Sequence, residues 1–345
     1  MTTGNGSDEA SGADALWYTG AGCAAIRHET LGPLAPGHLR VEALYSGISR
    51  GTESLVFNGH VPASEFQRMR APFQAGDFPF PVKYGYACVG RIAAGPDAGA
   101  LLPGQTVFVL HPHQTLFDIP ADAAHIVPDH IPSKRAVLSA NMETALNALW
   151  DGGLAPGDHI AVVGGGVIGA LTAWLASRTP GTRVTLIDKN PEKARIARKL
   201  GLAFAEPENT RGDNDLVIHA SASEAGLETA IGLCGMEATL VEMSWYGERR
   251  VTIGLGGAFH ARRLRLISSQ VGQIPPARRP RWDHARRLAT AIRLLDDPCL
   301  DALLEEPVAF ADLPHCLPRV LAPDAATLCQ VVRYPAAAPV ACDIS

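Results

Sequence analysis

The stretch HIAVVGGGVIGALTAWLA, residues 159–176, decides the fold. Residues 160–163 read as a buried strand and the apolar run from Val167 as a helix; between them Gly164, Gly166 and Gly169 keep the spacing G-x-G-x-x-G. Each glycine has its own task. Gly164 permits a tight turn, Gly166 lets a pyrophosphate approach the backbone, and Gly169 lets helix and strand pack closely. The helix then aims its free N–H groups at the phosphates. Gly164, Gly165, Gly166, Val167, Ile168 and Gly169 are therefore assigned to a dinucleotide cofactor.

Working outward, RVTLID predicts a second strand over 183–187 that ends in Asp188, nineteen residues past Gly169. A carboxylate there accepts hydrogen bonds from the adenosine ribose hydroxyls and repels a 2′-phosphate. NAD(H) is favoured over NADP(H), a preference that Lys189 beside it softens. Further strands are expected at 216–219, 238–243 and 264–268, with helix-length segments between them. One helix has a clear frame: Asn190 as cap, Pro191 at the first helical position and Gly201 as its stop. Such alternation implies right-handed crossovers and a doubly wound parallel sheet. Earlier in the chain the texture is different. Short β-prone runs at 23–28, 39–46, 89–93 and 106–110, cut by Gly and Pro, predict an antiparallel β domain. The fold class is α/β.

Composition narrows the function. The 345 residues, 47% hydrophobic and 19% charged, suffice for two domains and exclude disordered and fibrous classes. A net charge of −5 gives no support to a nucleic-acid partner. The seven cysteines are scattered without a Cys-x-x-Cys pair, which argues against a disulfide framework and a four-cysteine zinc lobe. No run reaches the ~18 apolar residues of a membrane span. The small, polar first 14 residues read as a frayed terminus, and the Pro-Ala tract at 335–340 as a tail. A soluble cytoplasmic protein acting on a small molecule, with neither nucleic acid nor membrane as partner, is expected.

SGISRGTE (46–53), YGYACVGRI (84–92), PGQTVFV (103–109) and METALNAL (142–149), in that order ahead of the glycine motif, resemble the medium-chain dehydrogenases/reductases, the zinc alcohol dehydrogenase superfamily. The resemblance covers nearly all of 15–334; the 46–53 turn and the 84–92 segment are similar to the branch containing bacteriochlorophyllide a dehydrogenase, whereas residues 60–83 between them match it less well. The resemblance implies a GroES-like β domain from residues 1–133 with a return segment 306–345, a Rossmann domain at 134–305, and a homodimer paired through 264–271. It also implies zinc ligands at positions where this chain departs from the pattern. The Cys of the first turn is Ser49, the Gly-His-Glu motif reads Gly85-Tyr86-Ala87, and the region of the third ligand, 142–144, holds only Glu143 as a donor. HPHQTL stands in place of the structural zinc lobe. No zinc is expected, because hydroxyls at neutral pH are poor zinc ligands. A rebuilt site from His111, His113 and Glu53 or Glu143 is the competing reading.

Without metal, hydrogen-bond donors must hold the reacting oxygen. Ser49 and Tyr86 take that role, with Lys83 or Tyr84 lowering a phenol pKa or relaying a proton and Thr52 as a further relay hydroxyl. Glu143 is either an acid/base or a buried ion-pair partner. Arg50 is read as a clamp on the cofactor pyrophosphate, and Glu53 as a partner of Arg50 or of a backbone amide. The expected activity is NAD-dependent interconversion of a secondary alcohol and a ketone. The alternatives are NAD(P)H-dependent reduction of an activated C=C bond or quinone, and a dinucleotide-binding protein without catalysis.

Overall fold

The computed structural model describes residues 11–95 and 101–335. The first ten residues of the expected frayed terminus and all of the 335–340 tract but Pro335 lie outside the described residues. Residues 11–14, by contrast, open the strand Ser11–Gly20, which pairs antiparallel with Cys23–Leu31 through a turn made possible by Gly22 at φ +69°. The chain divides into two units. One runs to Val137 and resumes at Glu306; the other is Leu138–Glu305. Two helices precede the glycine strand, Ser133–Ala136 in the first unit and Ser139–Gly152 in the second. The division falls past residue 133 because the short helix packs on strands His38–Ile48 and Cys88–Ala94.

The first unit is the GroES-like β domain. Its seven-stranded sheet runs Val308–Ala309, Gln330–Arg333, His38–Ile48, Cys88–Ala94, Thr106–Val109, His125–Ile126, with Leu116–Pro120 also paired to His38–Ile48. The return segment thus enters the sheet directly, Val331 opposite Gly47 and Gln330 opposite Ile48, beside Ser49. A four-stranded sheet joins Cys23–Leu31, Ser11–Gly20, Val82–Lys83 and Ala75–Gly76. The helix Leu313–Val320 in the return segment was not expected; its buried residues Leu313, Leu317 and Val320 keep one helical face.

The second unit is the Rossmann domain. Its six strands are all parallel, in the order Ala203–Ala205, Arg183–Ile187, His159–Val163, Asn214–His219, Cys234–Glu242, Arg265–Ser268. Near-continuous apolar runs suit strands covered on both faces. Val162, Leu186, Val217 and Ile218 are wholly buried, each worth about 1.5–3 kcal/mol against exposure. The chain leaves His159–Val163 in one direction and later returns to add Asn214–His219 on its other side. That reversal opens a crevice at the carboxyl ends of these two strands, where doubly wound sheets bind ligands.

Candidate functional site

The glycine turn sits at this switch point. Gly164 has φ +116° and donates its N–H to Ile187 O at 2.8 Å, and a Cβ on Gly169 would fall 1.9 Å from Gly164 O. Neither position accepts a side chain. Gly166 is different: it caps the helix Val167–Ser177 at φ −72°, and a Cβ there would meet nothing within 4 Å. The surface over Gly166 is open, and the N–H groups of the first helical turn, which includes Val167 and Ile168, have no partner within the helix.

Asp188 is fixed beside the turn. Its Oδ2 accepts Gly165 N–H at 2.6 Å and its Oδ1 accepts Asn190 N–H at 2.8 Å. The Asn190 side chain accepts from Glu192 N–H at 3.0 Å, and this turn delays the helix to Lys193–Lys199, with Glu192 at the cap instead of Asn190. Gly201 ends it at φ +70°. Lys189 is exposed. An open glycine surface, a helix start and a fixed carboxylate fit a dinucleotide.

In the β domain a second cluster forms around Tyr86. Its hydroxyl donates to Ser49 Oγ at 2.6 Å and lies 3.1 Å from Thr52 Oγ1. The structure therefore brings Ser49, Thr52 and Tyr86 together. Burial pushes the Tyr86 phenol up to about 12, against the opposing hydrogen bonds with Ser49 and Thr52. Tyr86 nevertheless keeps part of its surface exposed, whereas Tyr18 and Tyr84 beside it are buried. Ser49 precedes the helix Arg50–Phe57, but its hydroxyl makes no cap bond. Glu53 acts instead, its Oε1 accepting Ser49 N–H at 2.7 Å. Its Oε2 accepts Tyr18 OH at 2.8 Å and meets His113 Nε2 at 3.0 Å. His113 Nδ1 continues to Ser46 Oγ at 2.7 Å, and Ser46 to Tyr334 OH at 2.9 Å. Glu53 and His113 were both expected near the site, but the web that joins them needs residues 35 or more apart in the chain to meet.

Two expected roles are corrected, and one of the two readings of Glu143 is met. Lys83 points its ammonium at Glu29 Oε2 (2.7 Å) and Gln114 Oε1 (2.8 Å), so it serves the four-stranded sheet and does not lower the Tyr86 phenol, which lies above its ordinary value. Arg50 is not a phosphate clamp: Nε, Nη1 and Nη2 bond the carbonyls of Val320, Thr327 and Ala322 at 2.8, 2.9 and 3.0 Å. It ties the return segment to the helix that follows Ser49, and it leaves Glu53 to the backbone amide. Glu143 is a buried ion-pair partner, its Oε1 3.0 Å from Arg287 Nε.

The donors at the family's zinc positions do not fit that metal. Catalytic zinc takes three ligands from Cys, His or carboxylate, whereas Ser49 and Tyr86 offer hydroxyls already bonded to each other. Of the competing set, His113 and Glu53 bond one another, and His111 stacks on Phe117 with ring centroids 3.6 Å apart. Among the described residues no group of three His, Cys, Asp or Glu gathers for a metal.

Sequence reading also passed over His219, Ser221 and Glu242, which meet at the ends of two Rossmann strands. The signal in the sequence is a His directly after the apolar run 216–218 and a Glu directly after Leu240-Val241.

Known proteins share the fold. The family described as NAD(P)-binding Rossmann-like domain matches residues 162–193. The solved structure of 2R,3R-butanediol dehydrogenase from Bacillus subtilis superposes with a TM-score of 0.75 at 16% identity, covering 94% of this chain and 100% of that one. The chain has the medium-chain dehydrogenase/reductase fold. A curated relative with sequence similarity is 2-desacetyl-2-hydroxyethyl bacteriochlorophyllide A dehydrogenase of Cereibacter sphaeroides, 26% identical over 306 residues, 83% of this chain and 91% of that protein. Another is D-guloside 3-dehydrogenase of Escherichia coli K12, 25% identical over 196 residues, 53% of this chain. The match spans 56% of the guloside enzyme's length. No helix among the described residues is long and apolar enough to cross a membrane.

Proposed function

We propose that this medium-chain dehydrogenase/reductase-like chain is an NAD-dependent enzyme interconverting a secondary alcohol and a ketone, with the Ser49 and Tyr86 hydroxyls holding the reacting oxygen. The observation that carries this reading is the 2.6 Å bond between those hydroxyls, at the positions where the family resemblance implies zinc ligands. When bound, the nicotinamide gives or takes the hydride. Gly164 to Gly169 and the helix start hold its pyrophosphate, and Asp188 the adenosine ribose. The fixed carboxylate of Asp188 supports NAD(H) over NADP(H).

A phenol held near 12 is a neutral donor at physiological pH. It polarises a ketone oxygen in one direction of the reaction. In that direction it also gives up its proton to the alkoxide that forms, a far stronger base than phenolate, and Ser49 and Thr52 stabilise the phenolate and relay a proton to it from solvent. In the other direction Tyr86 first loses its proton through Ser49 and Thr52 to solvent, and the phenolate takes the alcohol proton as the hydride leaves. The matched relatives are named for dehydrogenating a D-guloside and a hydroxyethyl-bearing bacteriochlorophyllide, which supports an alcohol as the reduced partner. We assign the protein to the cytoplasm as a homodimer, paired along the edge strand Arg265–Ser268, whose outer residues are exposed.

Tyr86→Phe and Ser49→Ala, assayed separately with NAD(H) and NADP(H) on a panel of secondary alcohols, ketones, enones and quinones, test the reading. Turnover should fall by about 10²–10³-fold, the usual loss for one oxyanion donor, with nucleotide affinity unchanged. Full turnover in both variants removes these hydroxyls from the mechanism, and activity confined to enones or quinones replaces the alcohol by a C=C bond or quinone.

A further inference from the structure

The chemistry proposed for the β domain leaves unused a histidine with no exposed surface at the end of a Rossmann strand. His219 Nδ1 lies 2.7 Å from Glu242 Oε2, its partner in the parallel register, and His219 Nε2 lies 2.6 Å from Ser221 Oγ. Ser221 Oγ is 2.9 Å from Ser223 Oγ, which accepts Gly226 N–H at 3.1 Å and so caps the helix Glu224–Leu233. Glu242 also accepts Tyr246 OH at 3.1 Å and Ser244 N–H at 2.7 Å, while Ser244 Oγ accepts Ala222 N–H at 3.0 Å.

The directions of these bonds follow from the chemistry. A carboxylate only accepts, so Nδ1–H donates to Glu242 and Nε2 accepts the Ser221 O–H. Ser221 then accepts from Ser223, and Ser223 from the helix amide. Burial alone would raise the Glu242 pKa, but the hydrogen bonds from His219 and Ser244 bring it below the ordinary carboxylate value. The chain runs one way from a helix N-terminus to an anion, and every link polarises the next.

A Ser-His-Glu order suggests a nucleophile, but the packing rejects it. A Cβ on Gly226 would fall 2.1 Å from Ser221 Oγ and 3.0 Å from His219 Nε2, so the helix start closes over the serine. What the chain fixes is a pair of loops, 220–223 and 243–246, and those loops lie at the switch point. A Cβ on Gly164 would fall 2.8 Å from Ser221 N, and Ala220 N–H bonds Val163 O at 2.8 Å. Asp188 flanks the glycine turn on the side of strand Arg183–Ile187; Ser221 flanks it on the side of Asn214–His219. A dinucleotide whose pyrophosphate crosses the turn and whose adenosine ribose meets Asp188 must carry its other half over residues 220–223.

We propose that His219 and Glu242, acting through Ser221 and Ser223, are positioning residues that hold these two loops in register for the nicotinamide–ribose half of the dinucleotide. The proposal rests on the dinucleotide reading above. Binding of NADH and of ADP, measured by calorimetry on wild type, His219→Gln, Glu242→Gln, Ser221→Ala and Ser221→Thr, tests it, because ADP carries the adenosine half and pyrophosphate alone. In the first three variants the NADH dissociation constant should rise by about tenfold or more, roughly the loss of one good contact set, while ADP shifts by less than about twofold. Ser221→Thr keeps the hydroxyl and should bind like wild type. Equal weakening of both ligands, or unchanged NADH binding in a folded Ser221→Ala, overturns the assignment; the serine variant keeps the test open if His219→Gln does not fold. A wild type that binds neither NADH nor NADPH overturns instead the dinucleotide reading beneath it.

Discussion

Replacing Arg287 with Met should be among the most costly single changes in the Rossmann domain, and its cost should grow with pH. Arg287 is 1% exposed, on the helix His284–Arg293. Its Nε donates to Glu143 Oε1 at 3.0 Å, and its two terminal nitrogens donate to Asn147 Oδ1 and Val271 O. Glu143 and Asn147 stand one turn apart on Ser139–Gly152, both buried. Met fills much of the volume but leaves a carboxylate, an amide oxygen and a carbonyl without this partner. Breaking a buried pair from one side costs about 3–5 kcal/mol. For a unit of this size that is a fall in Tm of roughly 6–20 °C.

Glu143 has one escape, which is to take a proton. Burial already raises its pKa, against the lowering effects of Arg287 and His284, and removal of Arg287 raises it further. A carboxyl whose folded pKa lies above its unfolded value near 4.3 costs nothing below that pH and destabilises progressively as pH climbs to the folded pKa. The deficit of Arg287→Met against wild type should therefore be larger at pH 8 than at pH 5. Urea unfolding followed by tryptophan fluorescence at both pH values reads it. Adding Glu143→Gln should recover at least about 1 kcal/mol at pH 8, a coupling typical of contacting residues. A deficit under about 1 kcal/mol at pH 8, or one equal at both pH values, would refute the reasoning.

Gly166→Ala should leave Tm within about 2 °C yet weaken NADH by about tenfold, because its Cβ has room in the protein but stands where a pyrophosphate must approach; Gly169→Ala, whose Cβ meets Gly164 O at 1.9 Å, should lose both stability and binding in the same two assays. Arg50→Met frees three carbonyls of the return segment and should cost about 2–4 kcal/mol in urea unfolding with NADH affinity unchanged; lost affinity at unchanged stability would restore the phosphate clamp. His111 is lowered from 6.5 to about 3, chiefly by burial. A buried histidine with a depressed pKa stabilises the fold above its unfolded pKa and loses that contribution as pH falls from 6.5 toward 3. His111→Phe should shift acid unfolding, followed by circular dichroism, to lower pH, and an unmoved transition would clear His111 of the role.

What could be read from sequence was local. The glycine turn, its strands and Asp188 lie within thirty residues, so period and spacing were enough. The hairpin strand Ser11–Gly20 escaped because its first half is small and polar, although the Ala21-Gly22 turn before Cys23 was a hairpin signal. Two prolines, Pro314 and Pro318, hid the helix Leu313–Val320, whose spacing of buried Leu313, Leu317 and Val320 was nonetheless helical. The tasks of Lys83 and Arg50 were out of reach for another reason. Each is decided by partners that sheet pairing or the returning segment brings up, Glu29 and Gln114 for one, the carbonyls of 320–327 for the other. A positive charge in a motif does not say which acceptor it will meet.

Ser49 shows how a local preference is overruled to make a site. A serine directly before a helix ordinarily spends its oxygen on the first free amides. Here Glu53, four residues on, turns back to accept the Ser49 N–H, and it stays buried because Tyr18 and His113 bond its other oxygen. Its carboxylate also lies near the helix N-terminus, where negative charge is favourable. With that backbone donor satisfied by Glu53 and no cap bond of its own, the serine hydroxyl is free to accept from Tyr86. The residue types at 49, 53 and 86 were all readable in the chain, but capping preference alone would have turned the Ser49 hydroxyl toward the helix. Tyr18 and His113, supplied by a distant strand and loop, reverse that outcome. The bond from Tyr86 to the Ser49 hydroxyl thus depends on the buried Glu53 carboxylate, which takes the Ser49 N–H.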